Sequence, residues 1–319
     1  MTTYIVRRLI QSLFVLILVT LIVFFVMRLM PGDPLLLYMS QSAELEAMPP
    51  EMLNKLRHEF GLDKPIMVQY AVWLSGILRG DLGTSIFYHE KVGKLILERF
   101  PVTLHLGLLA WITGATFGTL AGLLAAVRRG KWMDKVVTPL TYIGVTIPVF
   151  WLGILLIYAF GLKLNWLPIA GYTSPLNDFW LSTRQLVMPV ICLAVFGLAA
   201  NARQMRSSML DVIRQDYIRT AWSKGLRERV IVMRHALKNS LIPVITLMGI
   251  SIGIIFGGSV LVETVFAIPG VGRLLVSSIF GHDYVVVQAI TFVIAVVVQV
   301  SNLIVDISYG WLDPRIRYG

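Results

Sequence analysis

The chain is short of what soluble catalysts rely on. Charged side chains make up 14% of its 319 residues, against about 25% in an ordinary soluble domain, so most side chains cannot face water. Acids are scarcer than bases: 18 Asp plus Glu against 28 Lys plus Arg, a net charge of +10. The one cysteine, Cys192, lies in an apolar run and excludes an internal disulfide or a CxxC metal site. No GxxxxGK[ST] phosphate loop occurs, because Gly93-Lys94 and Gly130-Lys131 lack both the preceding glycine and the following Ser or Thr. HExxH is absent too, and of five scattered histidines only His105 falls in an apolar block. Ser259 after Gly257-Gly258 has no supporting motif that would make it a nucleophile. No acid occupies the middle of an apolar block; Glu263 and Asp306 fall near the ends, where water or headgroups are expected to reach them. A central acid costs about 3 kcal/mol in a membrane, and ion-coupled carriers keep one because coupling needs it. Ion-driven secondary transport is therefore disfavoured.

What the chain has in abundance is long apolar runs, with 56% hydrophobic residues and a mean hydropathy of +0.75. Six blocks stand out, near 9–30, 102–127, 136–161, 186–202, 241–262 and 285–307. About 20 helical residues cross a hydrocarbon core of about 30 Å. The fourth block is the shortest and contains Pro189. Arg7 and Arg8 precede the first, which is too long for a signal peptide and is read as a retained helix. The expected fold is all-α and polytopic, with about six transmembrane helices.

Charge sets the orientation. With the N-terminus inside, residues 1–8, 128–135, 203–238 and 311–319 hold 17 basic and 5 acidic residues, the opposite side holds 11 and 12, and Asp306 sits in the last apolar block. The basic excess lies on one side, as cytoplasmic loops require, and both termini are expected in the cytoplasm. Nucleic acid is not needed to explain the basic pI of about 9.8. The chain divides into a first helix (1–30), an extracytoplasmic segment (31–100), a five-helix core (101–310) and a cytoplasmic tail (311–319). The segment has a helical pattern over 50–60, Gly61, and a further amphipathic stretch to Leu78. Seventy residues exceed any turn, and a small cap that helps dock a partner is expected.

Glycines recur at spacing four, as Gly114, Gly118, Gly122 and again as Gly249, Gly253, Gly257. Each set lies along one helix face, for close packing or for a moving pathway. Pro139, Pro148 and Pro243 imply kinks or helix starts.

The most informative stretch is the cytoplasmic one, 203–238. Val212, Ile213, Tyr217, Ala221 and Trp222 form an apolar stripe at helical spacing, with Arg214, Arg219 and Lys224 elsewhere around the helix. Gly225 follows as a C′ residue would, with Leu226 able to pack back. A second short helix then leads through Lys238 into the fifth span. The result is a two-helix elbow that can lie on headgroups or plug into a groove on a protein.

Here the sequence resembles the dipeptide/oligopeptide-type inner-membrane permeases of bacterial ABC importers. Ala221 and Gly225 match the Ala–three residues–Gly signature of that family's cytoplasmic loop. The resemblance continues in Pro31-Gly32-Asp33-Pro34, in 61–65 with Gln69-Tyr70 and Trp73-Leu74, and in Gly80-Asp81-Leu82-Gly83 with Ser85. It extends to 263–272 and 313–318. Arg219 and Thr220 stand where the general loop motif opens with Glu-Ala. The resemblance implies a half-channel that pairs with a homologous second permease as a heterodimer, above two ATP-binding cassette ATPases that hold ATP and Mg. An extracytoplasmic binding protein would deliver dipeptides or oligopeptides, and membrane lipid would surround the spans. This chain would be non-catalytic, with no cofactor or metal of its own. The elbow becomes a coupling helix, carried by Asp216, Tyr217, Arg219, Thr220, Ala221, Lys224, Gly225 and Leu226. Ala221 is expected to face the ATPase groove, one turn before Gly225. A nickel, metal-chelate or glutathione importer shares the same blocks, and a gated channel without an ATPase is the reading from another class.

Overall fold

The computed structural model describes residues 2–29, 58 and 63–312. Among them ten helices follow in order: α1 (Thr2–Leu29), α2 (Ile66–Leu78), α3 (Val92–Val127), α4 (Trp132–Thr146), α5 (Val149–Lys163), α6 (Phe179–Ile213), α7 (Asp216–Ser223), α8 (Glu228–Val265), α9 (Val271–Phe280) and α10 (Tyr284–Leu312). The only extended pairing among the described residues is an isolated bridge between Thr84 and Lys91. Most of the helical pattern expected over 50–60, the Pro31–Pro34 motif, the 313–318 block and the Asp306 side chain lie outside the described residues.

Among the described residues five helices are long and apolar enough to cross a membrane, and α4 with α5, bent by 108°, passes the same test when taken together as one broken span. The all-α polytopic architecture expected from the sequence is the one observed. The bend falls at Pro148. A proline ring disfavours helical geometry in the residue before it, and Ile147 takes an extended backbone with ψ 126°. Pro139 and Pro243 instead lie inside continuous helices, where neighbouring groups in a bundle compensate for the lost backbone hydrogen bond.

The block that reads as the shortest span becomes a helix of 35 residues. Asp178 caps it by accepting from the Leu181 N–H at 2.9 Å. It continues past the apolar run because Met205, Ser208 and Met209 stay buried at helical spacing while Arg203, Ser207 and Asp211 face out. Helices α3 and α6 form the centre of the bundle. A Cβ on Gly114 would lie 3.1 Å from the Ala194 carbonyl oxygen, and one on Gly118 only 2.5 Å from that of Leu198. Gly122 is as tightly placed against Ala202. These glycines serve backbone-to-backbone packing.

The second glycine set does not form one packed face. Gly249 is buried, Gly253 lies against Val298 of α10, and Gly257 is exposed with open space around it. On the exposed side of α8 it joins Ile250, Ile254 and Leu261.

Helix α1 is apolar all round and mostly exposed, as a lipid-facing helix is. Its buried Phe24 meets Tyr70 and Trp73 of α2 at ring distances of 5.4 and 5.6 Å, and Thr20 shares a 3.0 Å hydrogen bond with the Tyr70 hydroxyl. The described part of the extracytoplasmic segment therefore braces α1. Its later part, around 80–91, is tied to the α9–α10 turn. Asp283, fully buried, accepts from the Ser85 hydroxyl at 2.5 Å and from the Phe87 N–H at 3.1 Å.

Candidate coupling site

The elbow is built from its caps inward. Gln215 is extended and breaks the chain from α6, and Asp216 opens α7 where a negative charge meets the positive end of the helix dipole. At the other end Gly225 has φ +73°, a conformation that side chains with a Cβ disfavour. Its N–H donates to the Trp222 carbonyl at 2.9 Å, and the Leu226 N–H reaches the Ala221 carbonyl at 3.4 Å. That pair of bonds is a Schellman cap. In it the residue at C3 and the glycine at C′ lie four positions apart, which is the spacing of Ala221 and Gly225.

Helix α7 buries one side only. Ile218 and Ala221 are 0% and 6% exposed and pack with Met205, Met209, Ile231, Ala236 and Leu226. Ala221 therefore faces the chain's own core, and its expected place in a partner's groove is corrected. Tyr217 and Trp222, read from the sequence as part of the apolar stripe, are exposed. Both have a polar tip on a large ring, which periodicity alone does not separate from core aromatics. Tyr217 accepts a 2.8 Å hydrogen bond from Asn239 of α8, so the elbow is held on a second element. The surface left facing out carries Asp216, Tyr217, Arg219, Thr220, Lys224 and Gly225, with Arg219 and Asp216 paired at 3.5 Å. The expected second short helix is instead the start of α8, which runs on through a π-helical stretch at Ile231–Ala236.

Glu263 is the largest correction to the sequence reading. It is 0% exposed, where water was expected to reach it. Its carboxylate accepts from the Thr103 hydroxyl at 2.8 Å and from the Arg273 N–H at 3.0 Å, at the start of α9. Thr103 in turn accepts from the Val271 N–H at 2.8 Å. A Cβ on Gly270 would collide with this carboxylate, and one on Gly272 would lie 2.9 Å from it. Nearness to a helix end suggested exposure, but α9 folds back over the site. The cluster of Glu263, Gly270 and Gly272 in one short stretch was the available signal. His105 pairs with the Tyr172 hydroxyl at 3.1 Å, while Ser259 donates to the Phe256 carbonyl; no hydrolase dyad forms between them.

With this geometry in place, likeness to known proteins can be read. Residues 118–318 match the family described as binding-protein-dependent transport system inner membrane component, and residues 1–107 match the N-terminal region of such membrane components. An oligopeptide transport system permease protein of Bacillus subtilis is 40% identical over the full length of both chains. A di/tripeptide transport system permease protein of Pseudomonas aeruginosa is 39% identical over 94% of each. A Brucella abortus protein, provisionally named a peptide transport system permease, is 41% identical over all of both chains. The apolar helices of membrane-spanning length, the elbow and these matches lead to one conclusion: the chain belongs to the inner-membrane permease components of binding-protein-dependent ABC importers.

Proposed function

We propose that this permease forms half of a pathway for dipeptides and oligopeptides, and that α7 is where ATP hydrolysis in partner subunits is transmitted to the spans. The observation that carries the second part is the capped elbow, which seals Ile218 and Ala221 against the chain and leaves Asp216, Arg219, Thr220 and Lys224 facing out beside the exposed rings of Tyr217 and Trp222. Family membership supports ATPase and binding-protein partners in general. A heterodimer with a homologous permease, two ATPases beneath it, and cytoplasmic termini are the finer parts of the proposal. The basic excess on the elbow side supports that orientation. In this reading ATP and Mg are held by the ATPases, and the chain itself is not catalytic. Peptide as substrate rests on the names of the relatives from B. subtilis and P. aeruginosa.

The exposed side of α8, with Ile250, Ile254, Gly257 and Leu261, offers a lining without fixed charge, which suits varied peptides. Selection would then belong to the binding protein. The test is reconstitution of the tagged chain with its partner permease, ATPases and binding protein in proteoliposomes. Labelled dipeptide should accumulate only with ATP and the binding protein present. Accumulation without ATP would mean a gated channel, and uptake of a metal chelate in place of peptide would overturn the substrate. Tight peptide binding by the detergent-solubilised permease alone would contradict an unselective pathway.

A further inference from the structure

We propose that the cleft between α4 and α6, at the end of the bundle that carries the elbow, binds the phosphodiester headgroup of an anionic phospholipid. The cleft holds about 320 Å³. Its α6 wall presents Arg203, Arg206, Ser207 and Arg214, and its α4 wall includes Thr138 and Tyr142. Arg203, Ser207 and Arg214 stand four and seven positions apart in succession, so they follow one face of the helix. Basic pockets between membrane helices take acidic headgroups because guanidinium–phosphate bonds are charge-assisted and strengthened at the edge of the low-dielectric layer.

The walls are already fixed. Arg206 donates to both Asp134 carboxylate oxygens, at 2.7 and 3.1 Å, and Asp134 also accepts from the Gly130 N–H and the Thr138 hydroxyl. This carboxylate thus balances Arg206 and locks α4 to α6. Asp211 also lines the cleft, so three arginines stand against Asp211 and the Asp134 already bound to Arg206, which leaves positive charge in excess. Arg203 lies 6.0 Å above the Tyr142 ring, and both side chains are exposed. The hydroxyls of Tyr142 and Ser207 add neutral donors. On the remaining face of α4, Val136, Leu140 and Ile143 are exposed, so acyl chains have an apolar track beside the charged cleft. A zwitterionic headgroup would bring its own cation against the arginines, so the preference is for a net negative one.

The test is native mass spectrometry of the detergent-purified transporter complex, titrated with phosphatidylglycerol, phosphatidylcholine or inorganic phosphate. The complex should retain phosphatidylglycerol over phosphatidylcholine. Arg203→Gln with Arg214→Gln should weaken that retention about tenfold or more, as loss of charge-assisted bonds predicts, without changing the melting temperature. Ser207→Asp, which keeps every arginine and adds a negative charge, should give the same loss. Arg229→Gln, which removes a charge outside the cleft, should not. Equal retention of both lipids, or unchanged retention in the two cleft variants, would overturn the proposal. Arginine-dependent binding of inorganic phosphate with no lipid preference would also overturn it, in favour of a site for a soluble anion.

Discussion

At the scale of single residues, two positions four apart in α7 do different work. Gly225 has no atom of the rest of the chain near a would-be Cβ, so Gly225→Val adds only backbone strain of about 1–2 kcal/mol. Ala221 is enclosed, so Ala221→Trp overpacks the core by about 1–3 kcal/mol or more. Quantitative blotting of membranes should show Gly225→Val near wild-type abundance and Ala221→Trp clearly depleted; equal abundance of the two would contradict the inward packing of Ala221. Glu263 gives a second residue-level prediction. Glu263→Ala leaves the Thr103 hydroxyl and the Arg273 N–H without their buried acceptor, at about 1–3 kcal/mol for each, whereas Glu263→Gln keeps an acceptor in place. Thermal unfolding of the purified protein should rank wild type above the Gln variant and the Gln variant well above the Ala variant. An Ala variant as stable as wild type would show that the carboxylate does not hold the α8–α9 corner.

At the scale of elements, Asp283 fastens the segment around 80–91 to the α9–α10 turn through Ser85 and Phe87. Asp283→Ala should raise hydrogen exchange at 84–91 by at least tenfold while leaving the α3–α6 centre protected. Exchange that rises equally in both regions would mean global destabilisation instead of a released fastening. This link was not legible in the sequence, because its partners lie some 200 positions apart and share no pattern. The spans were legible because a membrane demands unbroken apolar runs. The length of α6 was not, since its last turns are amphipathic and carry arginines that read as loop. Pro148 was visible as one of three candidate breaks; nothing in the letters distinguishes it from Pro139 and Pro243, whose helices continue.

At the scale of the whole molecule, the elbow links two levels of organisation. Its inner side belongs to the core shared by α3, α6 and α8, so force applied to α7 reaches three crossing helices. Sequence spacing located the elbow and its glycine, because a Schellman cap has a fixed register. It misassigned the facing side, because the large rings of Tyr217 and Trp222 read as part of an apolar stripe, although their polar tips let them stay exposed. Coupling is therefore best tested on the outward face, at Thr220, which is exposed and distant from the buried pair around the helix. The decisive measurement is substrate-stimulated ATP hydrolysis and uptake by the reconstituted complex carrying Thr220→Trp. Normal membrane abundance with both activities reduced at least tenfold is the expected result. Wild-type hydrolysis and uptake with the bulky side chain in place would show that α7 is an ordinary surface helix, and coupling through the elbow would be refuted.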